Sequence, residues 1–71
     1  MPYINIKITD EGVTNEQRKR LIAGATQLMV DVLHKDPKLT FVLIDEINTD
    51  NWGVAGESTT VLRQRQQQQE G

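Results

Sequence analysis

Residues 3–8, Tyr-Ile-Asn-Ile-Lys-Ile, alternate strictly: Ile4, Ile6 and Ile8 fall on one side, Tyr3, Asn5 and Lys7 on the other. A period of two in β-branched residues predicts a strand with one face on a core. The period then changes. Thr14 stands three residues before Gln17, with Glu16 between them. That spacing is a capping box with an acid in the first turn, where the helix dipole favours it. Leu21, Ile22, Ala25, Leu28, Met29, Val32 and Leu33 follow at helical spacing, while Arg18, Lys19, Arg20, Gln27 and Asp31 mostly take the other side. The helix is expected to end near His34-Lys35, because Asp36-Pro37 follows and the residue before proline avoids the helical region.

A second apolar run, Phe41-Val42-Leu43-Ile44 within "LTFVLIDEI", lacks alternation and predicts a strand covered on both faces. Strand, long helix and strand make a βαβ unit with parallel strands and a right-handed crossover. Beyond it, "NTDNWGVAGESTTVLR" carries Gly53 and Gly56 among aliphatic residues and reads as a short hairpin or arm. "QRQQQQEG" is low-complexity and polar, which predicts a frayed tail. The expected organisation is one α+β domain over residues 1–62 with a polar tail over 63–71.

Size then restricts how such a chain is stabilised. With 71 residues, it buries only about 60% of its unfolded surface on folding. There is no cysteine, and one histidine, His34, cannot make a metal cluster alone. Two strands do not make a stable sheet in water. Oligomerisation is the remaining support, most simply through a sheet extended between subunits.

Charge and hydropathy narrow the partners. A formal charge of −2 argues against a general nucleic-acid binder. No stretch approaches the roughly 18 apolar residues of a membrane span, and no basic-then-apolar leader opens the chain. A cytoplasmic protein without nucleic-acid or membrane partners is the expectation.

Pro2 has two readings. Proline lacks a backbone donor and commonly sits at strand margins. Alternatively, removal of Met1 makes Pro2 the N-terminus and its ring nitrogen a titratable secondary amine.

Met-Pro, the strand "PYINIKI", the capped helix, the strand "FVLIDEI" and then "NWGVAGES" together resemble the tautomerase superfamily, in particular its small 4-oxalocrotonate tautomerase-like members. The resemblance extends to about Leu62. It implies a β-α-β fold in dimers sharing a four-stranded sheet, with a trimer of dimers, a hexamer, preferred over a lone dimer. It also implies an isomerase that needs no cofactor, with Pro2 shuttling a proton in a keto-enol pair of a small enol or keto acid. Trp52 falls where the family carries an aromatic pocket residue, and an interface anchor is the compatible alternative. Phe41 would shape the same pocket.

The resemblance also has departures. Val13 and Phe41 stand where the family's two carboxylate-binding arginines would be, and neither can imitate a planar two-pronged guanidinium. A monocarboxylate or more apolar enol, such as an arylpyruvate-like compound, fits better than a dicarboxylate. Arg63 is the candidate replacement cation, with a solvated end beside glutamines as its alternative; Arg65 reads as solvated, and Lys38, just before the second strand, is as readily solvated as a replacement cation. Lys7 reads as a surface or intersubunit residue, and Tyr3 as packing. Asp45 and Glu46, adjacent on a strand, point to opposite faces and form no acid-base pair. His34 suits a helix C-terminus, and Asp10-Glu11 a solvent-facing loop. The competing function is a non-catalytic oligomeric binding or scaffold subunit of the same fold.

Overall fold

The computed structural model describes the backbone of residues 1–70 and the side chains of residues 1–67. Strand β1 (Tyr3–Thr9) leads to helix α1 (Asn15–Leu33), then strand β2 (Phe41–Ile47). A short hairpin, β3 (Gly53–Val54) and β4 (Glu57–Ser58), leads to helix α2 (Thr59–Glu70). β1 and β2 pair in parallel from Tyr3 opposite Phe41 to Thr9 opposite Ile47, as the βαβ pattern requires.

Local chemistry explains the ends of α1. Thr14 is the N-cap: its side chain accepts from the Gln17 N–H at 3.1 Å, while the Gln17 side chain accepts from the Thr14 N–H at 2.9 Å. At the other end His34 turns left-handed (φ 55°), and its N–H donates to the Val30 carbonyl at 3.0 Å. Those bonds satisfy groups that a helix end otherwise leaves open.

The strand register sorts the sheet into two faces. Ile4, Ile6 and Ile8 share one face with Val42, Ile44 and Glu46. That face meets α1, because Arg18 of the helix grips Glu46 with two hydrogen bonds, of 2.7 and 2.9 Å. Arg18 was expected on the solvent side of the helix. It is half-buried instead, since the acid at the end of the β2 face holds its guanidinium against the sheet.

The opposite face, bearing Tyr3, Asn5, Lys7, Phe41, Leu43 and Asp45, has no cover within the chain. Tyr3 is 59% exposed, and Phe41 and Leu43 are each 48% exposed. Leu28 and Val32 of α1 also remain open, so the apolar stripe on the helix is wider than two strands can cover. Among the described residues none is fully buried. The Cα radius of gyration is 16.4 Å, against about 11 Å for a compact domain of this length. These are the proportions of a subunit whose core is completed by other copies.

The hairpin forms as expected. Its two turn residues, Ala55 and Gly56, have φ of 53° and 84°, the positive pair of a type I′ turn. The tail differs from expectation, because α2 runs unbroken through the glutamines to Glu70. Gln and Arg are good helix formers, and the helix is started by Thr59, whose N–H is tied to the Trp52 carbonyl at 2.8 Å. Gly71 lies outside the described residues.

Candidate functional site

Pro2 sits immediately before β1, and its carbonyl accepts a 3.0 Å bond from the Phe41 N–H, which extends the parallel ladder by one rung. This bond fixes the backbone of the second residue against the start of β2. The Pro2 ring is half-buried, whereas Met1 is 81% exposed and contributes little packing. Phe41 lies at the same end, with its ring on the Tyr3 face of the sheet. Lys38, in the 3-10 turn Pro37–Leu39 that precedes β2, and Lys35 just before that turn are exposed cations of this end.

The other predicted site residues lie at the far end. β1 has seven residues, and at about 3.3 Å each they separate Pro2 from the β1–α1 loop by about 23 Å. There the Asp10 N–H donates to the Ile47 carbonyl at 2.7 Å, closing the ladder. A 3-10 turn, Thr49–Asn51, is capped by the Asn48 side chain and leads to Trp52. The half-buried Trp52 is held by its carbonyl, which accepts from both the N–H and the hydroxyl of Thr59 at 2.8 Å. One turn into α2, Arg63 forms an ion pair with Glu11 of the β1–α1 loop. The fold therefore brings Pro2 together with Phe41, and Trp52 with Arg63, at opposite ends of one chain.

Sequence reasoning did not find the groove at this far end, an open space of about 410 Å³ lined by Val13, Gln17, Arg20 and Leu21. No motif marks it, because it forms where a loop residue and one side of a helix happen to face each other. The family resemblance had singled out Val13 alone.

Carboxylates dominate the local electrostatics. Asp45 accepts from Lys7 at 2.8 Å and from Asn5 at 2.9 Å on the open sheet face. The Lys7 bond, then the Asn5 bond, holds the Asp45 carboxyl below its ordinary value, and Asp45 in turn raises Lys7. On the helix face Arg18 holds Glu46 below the usual carboxylate range. Asp45 and Glu46 thus serve separate ion pairs on separate faces, as their adjacency on a strand dictates. Every arginine has a carboxylate partner: Arg18 with Glu46, Arg20 with Glu16, Arg63 with Glu11 and Arg65 with Glu57.

Among the described residues no group of His, Cys, Asp or Glu is placed to hold a metal ion, and no helix is long and apolar enough to cross a membrane.

A parallel βαβ unit followed by a hairpin arm defines a small β-α-β subunit. The family model for tautomerase enzymes matches residues 2–62, and the chain belongs to that family. A probable tautomerase K2 of Dickeya dadantii is 62% identical over 65 residues, covering 92% of this chain and 97% of the relative. The crystal structure of DmpI from Helicobacter pylori superposes with a TM-score of 0.83 at 49% identity, over 89% of this chain and 97% of that one. A 4-oxalocrotonate tautomerase isozyme from Methylibium petroleiphilum gives the same TM-score, 0.83, at 28% identity, over 90% and 98% of the two chains. The protein is accordingly a tautomerase-type isomerase with the fold of the 4-oxalocrotonate tautomerases.

Proposed function

We propose that the protein is a cofactor-independent keto-enol tautomerase of a small enol or keto acid, with Pro2 as general base and then general acid after loss of Met1. The observation that carries this reading is the Phe41 N–H bond to the Pro2 carbonyl, at 3.0 Å, beside a Met1 that is 81% exposed. Removing Met1 sacrifices little packing, and the proline stays pinned to the sheet. A free α-amine ordinarily titrates near neutrality, and apolar surroundings disfavour its charged form. The neutral amine removes a proton from the enol hydroxyl or the α-carbon and returns it at the other end of the conjugated system. No atoms are gained or lost, and the electron pair moves within the substrate.

The active site is composite. About 23 Å of strand separates Pro2 from the loop and arm of its own chain, so Trp52, Arg63 and Val13 reach a proline only from a neighbouring copy. Two strands with free edges, an open sheet face and an open helix stripe support assembly beyond a dimer. Edge pairing alone would leave Tyr3, Phe41 and Leu43 exposed, and stacking dimers into a hexamer covers them. A monocarboxylate or a more apolar enol is the substrate supported, because Val13 and Phe41 offer no charge and the Arg63 guanidinium already meets Glu11. The expected setting is the cytoplasm.

The test is alkylation of the processed N-terminus with an amine-directed reagent, followed by mass measurement and a ketonisation assay on the enol of an arylpyruvate. Activity should fall in step with modified Pro2. Full activity after complete modification would overturn the mechanism.

A further inference from the structure

The two carboxylate oxygens of Glu11 meet two different residues. One accepts from the Thr9 hydroxyl, and the other meets the guanidinium of Arg63. Thr9 ends β1, so the carboxylate is anchored to the sheet and the cation of α2 is anchored to the carboxylate. Both partners remain reachable from solvent, with side-chain exposures of 48% for Arg63 and 38% for Glu11. The chain then turns at Gly12, in the left-handed region at φ 81°, and Val13 lines the groove of the same loop. The Arg20–Glu16 pair makes a useful contrast. At 3.6 Å and with both side chains more than two-thirds exposed, it is a loose surface pair on one helix.

We propose that Glu11 is a specificity-determining residue: it cancels the charge that Arg63 offers to an anionic substrate and so favours enol monocarboxylates over enol dicarboxylates. This deepens the function proposed above and rests on its placing Arg63 in a neighbour's site. An unengaged guanidinium presents a full positive charge and a two-pronged edge to a carboxylate. One already engaged by Glu11 offers its remaining N–H groups within a pair of zero net charge. Coulomb energy is linear in the substrate's charge, so a dianion loses about twice as much from that cancellation as a monoanion. Glu11 therefore discriminates by charge at Arg63, beside a groove lined by Val13, Gln17, Arg20 and Leu21 that can accept the rest of the molecule.

The experiment measures kcat and KM on two probes, the phenylpyruvate enol as monoanion and a 2-hydroxydienedioate as dianion. The enzymes are the processed wild type, Glu11→Gln, Arg63→Gln and the double variant. In Glu11→Gln the dianion-to-monoanion ratio of kcat/KM should rise about tenfold, the size of one charge-assisted contact, and the change should lie in KM. In Arg63→Gln the ratio should fall. The double variant should return close to the wild-type ratio, which a merely structural role for the bridge would not produce. A ratio that stays flat, or that moves the same way in both single variants, overturns the proposal. Should Glu11→Gln fail to fold, the direction of the ratio in Arg63→Gln decides. Loss of wild-type turnover on alkylating Pro2 tests the underlying function separately: a wild type that passes it with flat ratios refutes the Glu11 inference alone. A wild type inactive on both probes overturns both readings.

Discussion

The β1–α1–β2 body and the arm that follows it are held together by different means. The body depends on pairings distant in sequence: a seven-rung parallel register, isoleucines under α1, and ion pairs such as Arg18–Glu46 between helix and sheet. The arm depends on neighbours. Asn48 caps the turn before Trp52, Thr59 binds the Trp52 carbonyl twice, and the Thr49 and Thr60 hydroxyls bond to each other. The Arg63–Glu11 ion pair ties the arm back to the body. The body fixes Pro2 at one end, while local bonds of the arm hold Trp52 and the loop acid Glu11 holds Arg63 at the other. The two halves of the proposed site thus have separate structural supports.

That separation is broken most severely at the body's end. Pro2→Ala, with Met1 removed, replaces a rigid secondary amine by a mobile primary one. The kcat for ketonisation should drop by about 100-fold or more, the scale of general acid-base catalysis. Circular dichroism and oligomer mass should be unchanged, because the bond that pins this position uses the residue's carbonyl, which alanine keeps.

The next largest effect is on stability. Ile44 lies centrally in β2, on the face that α1 covers. Truncation by Ile44→Ala should cost about 2 kcal/mol, the lower end for a buried isoleucine because the site is only half-buried. Urea unfolding should show it as a lower midpoint. A matching truncation at Val54, 49% exposed on the hairpin, should shift the midpoint much less. Equal shifts would erase the distinction between body and arm.

The body was legible in sequence wherever a single element carries its own signal. Ile4, Ile6 and Ile8 state the strand, and Thr14 with Gln17 states the helix start before any tertiary contact is considered. The Gly-bearing hairpin was legible for the same reason. Arg18 was not, because its position depends on Glu46, 28 residues away, and hydropathy periodicity carries no information about which charges will meet. The helical glutamines were hidden by composition, since low complexity suggests a tail while Gln itself tolerates a helix well. For the site, Pro2 and Trp52 were nameable from family resemblance, yet their positions at opposite ends follow only from the length and register of β1. Glu11 looked like a solvated loop acid because its partner lies 52 positions later on α2.

Acid sharpens the comparison further, because two carboxyls of the body, Asp45 and Glu46, are held below their ordinary values by ion pairs. Glu46 and Asp45 have folded values held below their ordinary 4.5 and 3.8, by Arg18 and by Lys7 with Asn5. A depressed carboxylate contributes stability that is present above its unfolded value and is lost as pH falls through the folded one. Melting temperature should therefore begin to decline near pH 4.5 and continue down below 3.8. Lys7 has the opposite sign: its raised value gives stability that is complete below 10.5 and lost as pH climbs past it. Glu46→Gln should flatten the acid limb while leaving the alkaline one intact, which thermal melts across pH will check. Lys7 and Asp45 are largely open to solvent and Arg18 and Glu46 are only partly covered, so both limbs should be shallow and should weaken with added salt.

The smallest effect concerns the hairpin of the arm, where one residue opposes its own turn. A type I′ turn needs positive φ at both central positions, and Ala55 supplies it at φ 53° with a Cβ that disfavours this region. Gly56, at φ 84°, carries no such penalty. Ala55→Asn installs the Asn-Gly pair preferred in such turns, and asparagine tolerates the left-handed region by bonding locally. A gain of about 0.5–1 kcal/mol is expected, read as a slightly higher urea midpoint. If the arm is the self-supporting unit its hydrogen bonds describe, the gain should leave kcat on the phenylpyruvate enol unaltered. A change in kcat would mean instead that the turn and the proline at the other end of the chain are coupled, and that the arm moves during turnover.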